Sequence, residues 1–195
     1  MNLSKRIMQI VFINFALLFI PTLAHSDIEL GDTDAPVTII EYGSITCGKC
    51  VRFHREVLPS LKEHYIERGK VRFIYRNFPT SPEALRGAVA VRCAGPDLGT
   101  KMLDTLYNSV GEWSQAEDID TALTDIASEQ GLDPASFKSC LSDPIQTQSI
   151  NDEKEEAILE YDVIGTPTFI INGKVISGLQ LFFELELLIE EAMPK

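Results

Sequence analysis

Positive charge is scarce in this sequence: 17 Lys and Arg stand against 29 Asp and Glu, a formal net charge of −12. Residues 1–26 hold two of the basic side chains and none of the acidic ones, so 27–195 carry 15 against 29, or −14. Such a surface repels nucleic acid and anionic lipid and mainly confers solubility. Partners are therefore expected to be proteins or small molecules, with no nucleic acid among them. Histidine is scarcer still, with three copies at 25, 54 and 64. Only one CxxC is present, and no second CxxC or histidine pair is spaced to complete a zinc site. Beyond residue 26 no segment is apolar enough to cross a membrane. Repeats, low-complexity tracts and flexible linkers are absent.

What is present begins with an export layout. Lys5 and Arg6 form a positive patch, and the chain is almost wholly apolar from Ile7 to Leu23. Pro21 interrupts that run, and Ala24-His25-Ser26 offers small residues at the two positions a signal peptidase inspects. We expect 1–26 to be a signal peptide, with the mature protein starting near Asp27 and working in the periplasm. The alternative is an uncleaved membrane anchor. Residues 27–195 suit one domain, large enough to bury a core without help from metals.

Periodicity organises that domain. Pro36 to Tyr42 is a short run rich in β-branched residues, closed by Gly43, and reads as a buried strand. Val51, Val57, Leu58, Leu61 and Tyr65 recur at helical spacing from Gly48 to about Arg68, with a kink expected at Pro59. A second strand spans Val71 to Asn77. Strand, helix, strand is a βαβ unit, so the two strands should be parallel neighbours. No convincing strand lies within 81–162. Helices are expected from Ser81-Pro82 to Ala94, Asp97 to Val110, Ala116 to Gln130, Asp133-Pro134 to Leu141 and Asp143-Pro144 to Tyr161. Asn172-Gly173 between two β-branched runs is a strong hairpin signal, and a closing helix covers Leu179 to Ala192.

Four cysteines remain after export, and an even count in an oxidising compartment suggests disulfides. Cys47-Gly48-Lys49-Cys50 falls where the first strand gives way to the first helix. Unpaired N–H groups at a helix start stabilise negative charge, so a thiol there ionises more easily. The thiolate is the attacking species in disulfide exchange. Cys50, one turn further, is placed to resolve a mixed disulfide, and Lys49 adds a positive charge beside the pair. Two other readings compete: an inert bridge, or a metal site, since His54 follows Cys50 by four positions. Glu41 shares a strand face with Ile39, so it is expected under the helix start, able to pass protons to and from the Cys50 sulfur. An edge carboxylate meeting solvent is the alternative. Pro167 suits the first residue of a strand. A cis bond there would expose the Thr166 backbone to an extended peptide beside the cysteines, whereas an ordinary trans proline would not.

Taken in order, Glu41 on a strand, CxxC at a helix start, βαβ, a helical block, Thr-Pro, hairpin and helix resemble the thioredoxin superfamily. More closely they resemble the DsbA-like exported oxidoreductases, over about 36–192. Glu41-Tyr42-Gly43-Ser44-Ile45-Thr46 before the pair and Phe53-His54 after it are similar to α-proteobacterial members. The resemblance implies an α/β, thioredoxin-like fold with a helical subdomain inserted at about 80–162. It implies a protein thiol–disulfide oxidoreductase without a cofactor or metal, with Cys47 as nucleophile, Cys50 resolving and Glu41 as the buried acid. It also implies a cis-proline at Pro167, preceded by the variable residue Thr166. Oxidation of exported cysteine-containing proteins is the expected activity, with a membrane redox partner; the alternative within enzymes is a reductase or isomerase kept reduced by another membrane protein. The strongest oxidases of the family carry Pro-His where this chain has Gly48-Lys49, and Thr before the proline also occurs in isomerases and reductases. Those relatives bring a separate dimerisation domain, whereas here only 27–35 precede the first strand, so a monomer is expected. Some relatives carry a second, non-catalytic disulfide in the helical region. Here that would join Cys93 to Cys140, unless both are free, buried cysteines acting as small apolar groups. A non-enzymatic exported protein binding metal or a partner is the reading from another class.

Overall fold

The computed structural model describes residues 27–194. The export segment expected at 1–26 lies outside them. Five strands form one mixed sheet: β1 (Ile28–Leu30), β2 (Val37–Gly43), β3 (Val71–Asn77), β4 (Thr168–Ile171) and β5 (Lys174–Ser177), in the order β1-β3-β2-β4-β5. β2 and β3 are parallel, as the βαβ reading requires, and the other three pairings are antiparallel. Asn172 and Gly173 both take positive φ, 44° and 87°, which is the twist that a tight two-residue hairpin demands.

Alternation along β2 splits its side chains between two layers. Val37 and Ile39 join the main core with Phe53, Leu61, Met102, Leu106, Leu185 and Ile189. Ile40 and Tyr42 face a smaller cluster of Phe78, Ala157, Val163 and Ile170. The sheet is therefore covered on both sides, and β2, its central strand, is buried almost throughout.

Between β3 and β4 the chain is helical: α3 (Pro82–Cys93), α4 (Gly95–Asn108), α5 (Val110–Trp113), α6 (Ile119–Glu129), α7 (Pro134–Leu141) and α8 (Pro144–Tyr161). Ser81, Asp118, Asp133 and Asp143 cap four of these helices by accepting a backbone N–H. A Cys93–Cys140 disulfide ties α3 to α7, with Cα atoms 5.8 Å apart. The fold closes with α9 (Phe182–Ala192).

Two expectations change. The helix after the CxxC motif does not simply kink at Pro59. It runs as α1 (Gly48–Arg52), a π turn (Phe53–Val57), α2 (Leu58–Leu61) and a second π turn (Lys62–Ile66). In the first π turn the Leu58 N–H donates to Phe53 O, five residues back. Proline lacks an N–H and crowds the carbonyl four residues earlier, and the wider turn just before Pro59 accommodates it. The second change is β1, which sequence patterning missed because three residues are too few to display an alternation. It pairs with β3 and is pinned by Arg72–Glu29 and Arg76–Asp27 ion pairs.

The Cys93–Cys140 bridge spans 47 positions, and closing a loop of that length removes about 4 kcal/mol of unfolded-chain entropy. A Cys93→Ser, Cys140→Ser double variant should therefore show a clearly lower denaturant midpoint, with Cys47 reactivity near normal. An unchanged midpoint would mean the bridge contributes nothing.

Candidate active site

β2 ends at Gly43, and four residues later the chain enters α1 with Cys47 as its N-cap, in extended backbone (φ −75°, ψ 119°). The Cys47 N–H donates to Ser44 O, 2.9 Å, fixing that turn. Ser44 is anchored in turn: its hydroxyl oxygen accepts the Thr80 N–H and lies 2.9 Å from Thr80 Oγ1. An N-cap side chain points at the N–H groups of the second and third helical residues, which here are Lys49 and Cys50. The Cys47 thiol makes no cap hydrogen bond itself, but a thiolate at this position is favoured by those two backbone N–H groups.

Cys47 and Cys50 are both free thiols, Cys47 partly exposed and Cys50 buried. The Cys47 pKa is lowered to about 5. Hydrogen bonding from the Cys50 thiol is the largest cause, followed, against an opposing effect of partial burial, by Thr166 and the backbone N–H groups of Cys50 and Lys49. Cys50 moves the opposite way, raised by the same hydrogen bond, by burial and by the Glu41 charge. The two shifts together favour a thiolate at Cys47 and a thiol at Cys50.

The far wall is the start of β4. The Thr166–Pro167 peptide bond is cis, and the Cys47 thiol donates to Thr166 O at 3.4 Å. Residues 119 positions apart in sequence are thereby in contact. Beneath the cysteines, Glu41 is fully buried, with its Oε2 2.8 Å from His54 Nε2. His54 is a functional candidate that sequence reasoning raised only for metal. Its spacing, one turn after Cys50, is the signal that places it over β2. Among the described residues no three His, Cys, Asp or Glu side chains cluster as metal ligands. Tyr75 and Tyr107, which carried no sequence signal, enclose the imidazole.

Comparison with known proteins settles the family. The thioredoxin family model matches residues 24–191. The chain is 30% identical to Wolbachia pipientis alpha-DsbA1 in a crystal structure, with a TM-score of 0.78 over 86% of this chain and 90% of that one. The chain belongs to the DsbA-like branch of the thioredoxin family. BdbD from Bacillus subtilis shares the fold, with a TM-score of 0.74 at 23% identity over 85% of this chain and 92% of that one. A Rickettsia bellii protein provisionally named protein-disulfide oxidoreductase is 32% identical over 151 residues, 76% of this chain but only 58% of that longer protein. The chain thus spans little more than half of that relative.

Within this DsbA-like frame, Lys49 sits apart from the other site residues. Its side chain is exposed, and it acts on the thiolate through its backbone N–H. The DsbA-like reactive sulfur should therefore report its own titration. Alkylation of the reduced protein should fall on Cys47, with a midpoint near pH 5, while Cys50 stays unmodified until unfolding. The linked stability has a fixed sign. A lowered thiol pKa favours the folded reduced protein fully above the ordinary thiol value of 9.0, and that contribution is lost as pH falls through about 5. The reduced form should accordingly gain stability over the oxidised form as pH rises from 5 toward 9. An alkylation midpoint near pH 9 would refute the assignment of roles.

Proposed function

We propose that this chain is an exported protein thiol–disulfide oxidoreductase, working in the periplasm as an oxidase of cysteine-containing proteins. The observation that carries the reading is the placement of the two free thiols: Cys47 is partly exposed at a helix N-cap against the cis Thr166–Pro167 bond, and Cys50 is buried behind it. The shifts run the same way, Cys47 down to about 5 and Cys50 up. Whatever stabilises the thiolate stabilises the reduced protein, and so makes the disulfide more oxidising.

In the oxidising direction a substrate thiolate attacks Cys47 of the Cys47–Cys50 bridge. The S–S bond breaks, Cys50 leaves with the electron pair, and Glu41 hands it a proton. The substrate's second thiolate then attacks its own sulfur in the mixed disulfide and expels Cys47 as a thiolate. The substrate loses two electrons and the protein gains them. A membrane redox partner takes those electrons back. Thr166, beside the Cys47 sulfur, offers its backbone to an extended substrate segment, and Pro167, which has no N–H to donate, keeps that edge open.

Replacing Cys47 with serine should abolish exchange, and replacing Cys50 should trap mixed disulfides on Cys47. Trapping that required Cys50 instead would reverse the roles. The direction in the cell follows from the resting redox state: an oxidase is found with Cys47 and Cys50 bridged, a reductase or isomerase with both reduced.

Lys49 adds only a solvent-screened charge. Lys49→Glu should make the protein less oxidising by under about 30 mV, the equivalent of about one unit in the Cys47 pKa. Equilibration against glutathione measures this, and an unmoved potential would make Lys49 a plain surface charge.

A further inference from the structure

Glu41 presents a problem that the disulfide chemistry alone does not solve. Its side chain has no exposed surface, and a buried carboxyl with a free torsion has no defined direction in which to offer its proton. One oxygen, Oε2, is held at 2.8 Å by His54 Nε2. The other, Oε1, has no hydrogen-bond partner among the described residues. His54 Nδ1, also buried, has none either. If the carboxyl donated to Nε2, the ring proton would sit on Nδ1 as a buried donor without an acceptor. If Nε2–H donates to the carboxylate, no donor is orphaned, and orphaned buried N–H groups are the rarer and costlier kind. The second arrangement is the one that the surroundings favour.

The imidazole has little freedom to do anything else. It stacks on Tyr107 with centroids 3.9 Å apart, and meets Phe53 and Tyr75 edge-on at 5.6 Å. Its backbone lies in the π turn Phe53–Val57, the kind of local widening that recurs at functional sites. The titratable and charged groups around it are Glu41 on β2, Cys50 on α1, Tyr75 on β3, and Tyr107 and the outward Asp104 on α4. Burial holds both tyrosine hydroxyls well above the ordinary phenol value, so near neutrality they stay protonated. Tyr75 donates to Gly43 O, and Tyr107 donates to Tyr75. Gly43 keeps the space open: a Cβ there would lie 2.5 Å from Tyr75 Cε2 and 3.1 Å from Glu41 Oε1.

We propose that His54 is a positioning residue for Glu41, donating through Nε2–H to Oε2 and so leaving Oε1 as the oxygen that exchanges a proton with the Cys50 sulfur. This rests on the reading of Glu41 as the acid–base partner of Cys50. The proton moves between Cys50 Sγ and Glu41 Oε1, and His54 keeps its own throughout.

The test is the rate at which Cys50 resolves a glutathione mixed disulfide on Cys47. In that step Cys50 gives its proton to Glu41, its sulfur attacks Cys47, and glutathione leaves as thiolate. His54→Phe keeps the ring packing and removes the donor, so it should slow resolution about tenfold, a modest share of what general acid–base catalysis supplies. Loss of a donor to the carboxylate favours its protonated form, and Glu41 must be ionised to accept the Cys50 proton, so the acidic limb of the pH–rate profile should move to higher pH. His54→Gln, which retains an N–H donor, should stay within about threefold of wild type. Glu41→Gln should slow the step, and adding His54→Phe to it should cost nothing further, because His54 acts only through Glu41. Should His54→Phe fail to fold, His54→Asn, too short to reach Oε2, takes its place. A donor-free variant with lowered stability but an unmoved pH profile would make His54 structural and overturn the inference. Slowing that adds to that of Glu41→Gln would overturn it too. An unaffected Glu41→Gln would instead sink the reading of Glu41 itself.

Discussion

Strand β2 is bonded along both edges, parallel to β3 and antiparallel to β4, and that double pairing is the constraint from which the site follows. A strand held on both sides cannot slip in register, because a shift of one residue would turn every side chain to the opposite face. Glu41 is thus committed to the interior, level with Tyr75 and Phe169 on the neighbouring strands. Burying a carboxyl without a partner is costly. His54, delivered by the helix that crosses this face, offsets that cost. The same register sets where β2 ends, and hence where Cys47 enters the helix.

The two cysteines sit three positions apart and experience different surroundings. Cys47 stands at the mouth of the helix, where N–H groups converge, and Cys50 lies inside among apolar side chains. Each shift strengthens the other, since the Cys50 thiol is the main donor to the Cys47 thiolate. Redox asymmetry is then a consequence of helix geometry more than of the two intervening residues. Gly48 and Lys49 are exposed, and the Lys49 backbone N–H is among the groups that favour the thiolate.

The helical block meets the site at few points, and those points are specific. Thr80 and Ser81, just ahead of α3, bond Ser44 and Thr46 in the turn before Cys47, while Tyr107 on α4 lies against His54. Arg55 extends the same contact by donating to the Tyr107 and Asn108 carbonyls. The Cys93–Cys140 bridge works at the opposite end of α3, holding α7 to it. The block therefore buttresses the reactive turn from one end and is braced at the other.

Much of this was legible before any coordinates. Residues with strong local preferences named their own elements: β-branched runs for β2 and β3, Asn172-Gly173 for the hairpin, Asp-Pro pairs for the starts of α7 and α8. The CxxC at a strand-to-helix junction pointed to thiol chemistry, because a helix start is an anion site whatever the rest of the fold does. Pairings that depend on distant segments were not legible in the same way. The cis bond at Pro167 and the approach of Thr166 to the cysteines are expected from the motif and the family resemblance, but the 3.4 Å contact with the Cys47 sulfur exists only in the folded chain. The spacing of His54 left a metal ligand open as a competing reading, where the folded chain makes it the partner of Glu41. Tyr75 and Tyr107 carried no sequence signal, and only packing closes them around that imidazole. Sequence determined what each segment is, since local backbone preference and side-chain period act within a few residues. Tertiary structure decided which groups meet, because hydrogen bonds and burial depend on distances that only the packed sheet and helices set.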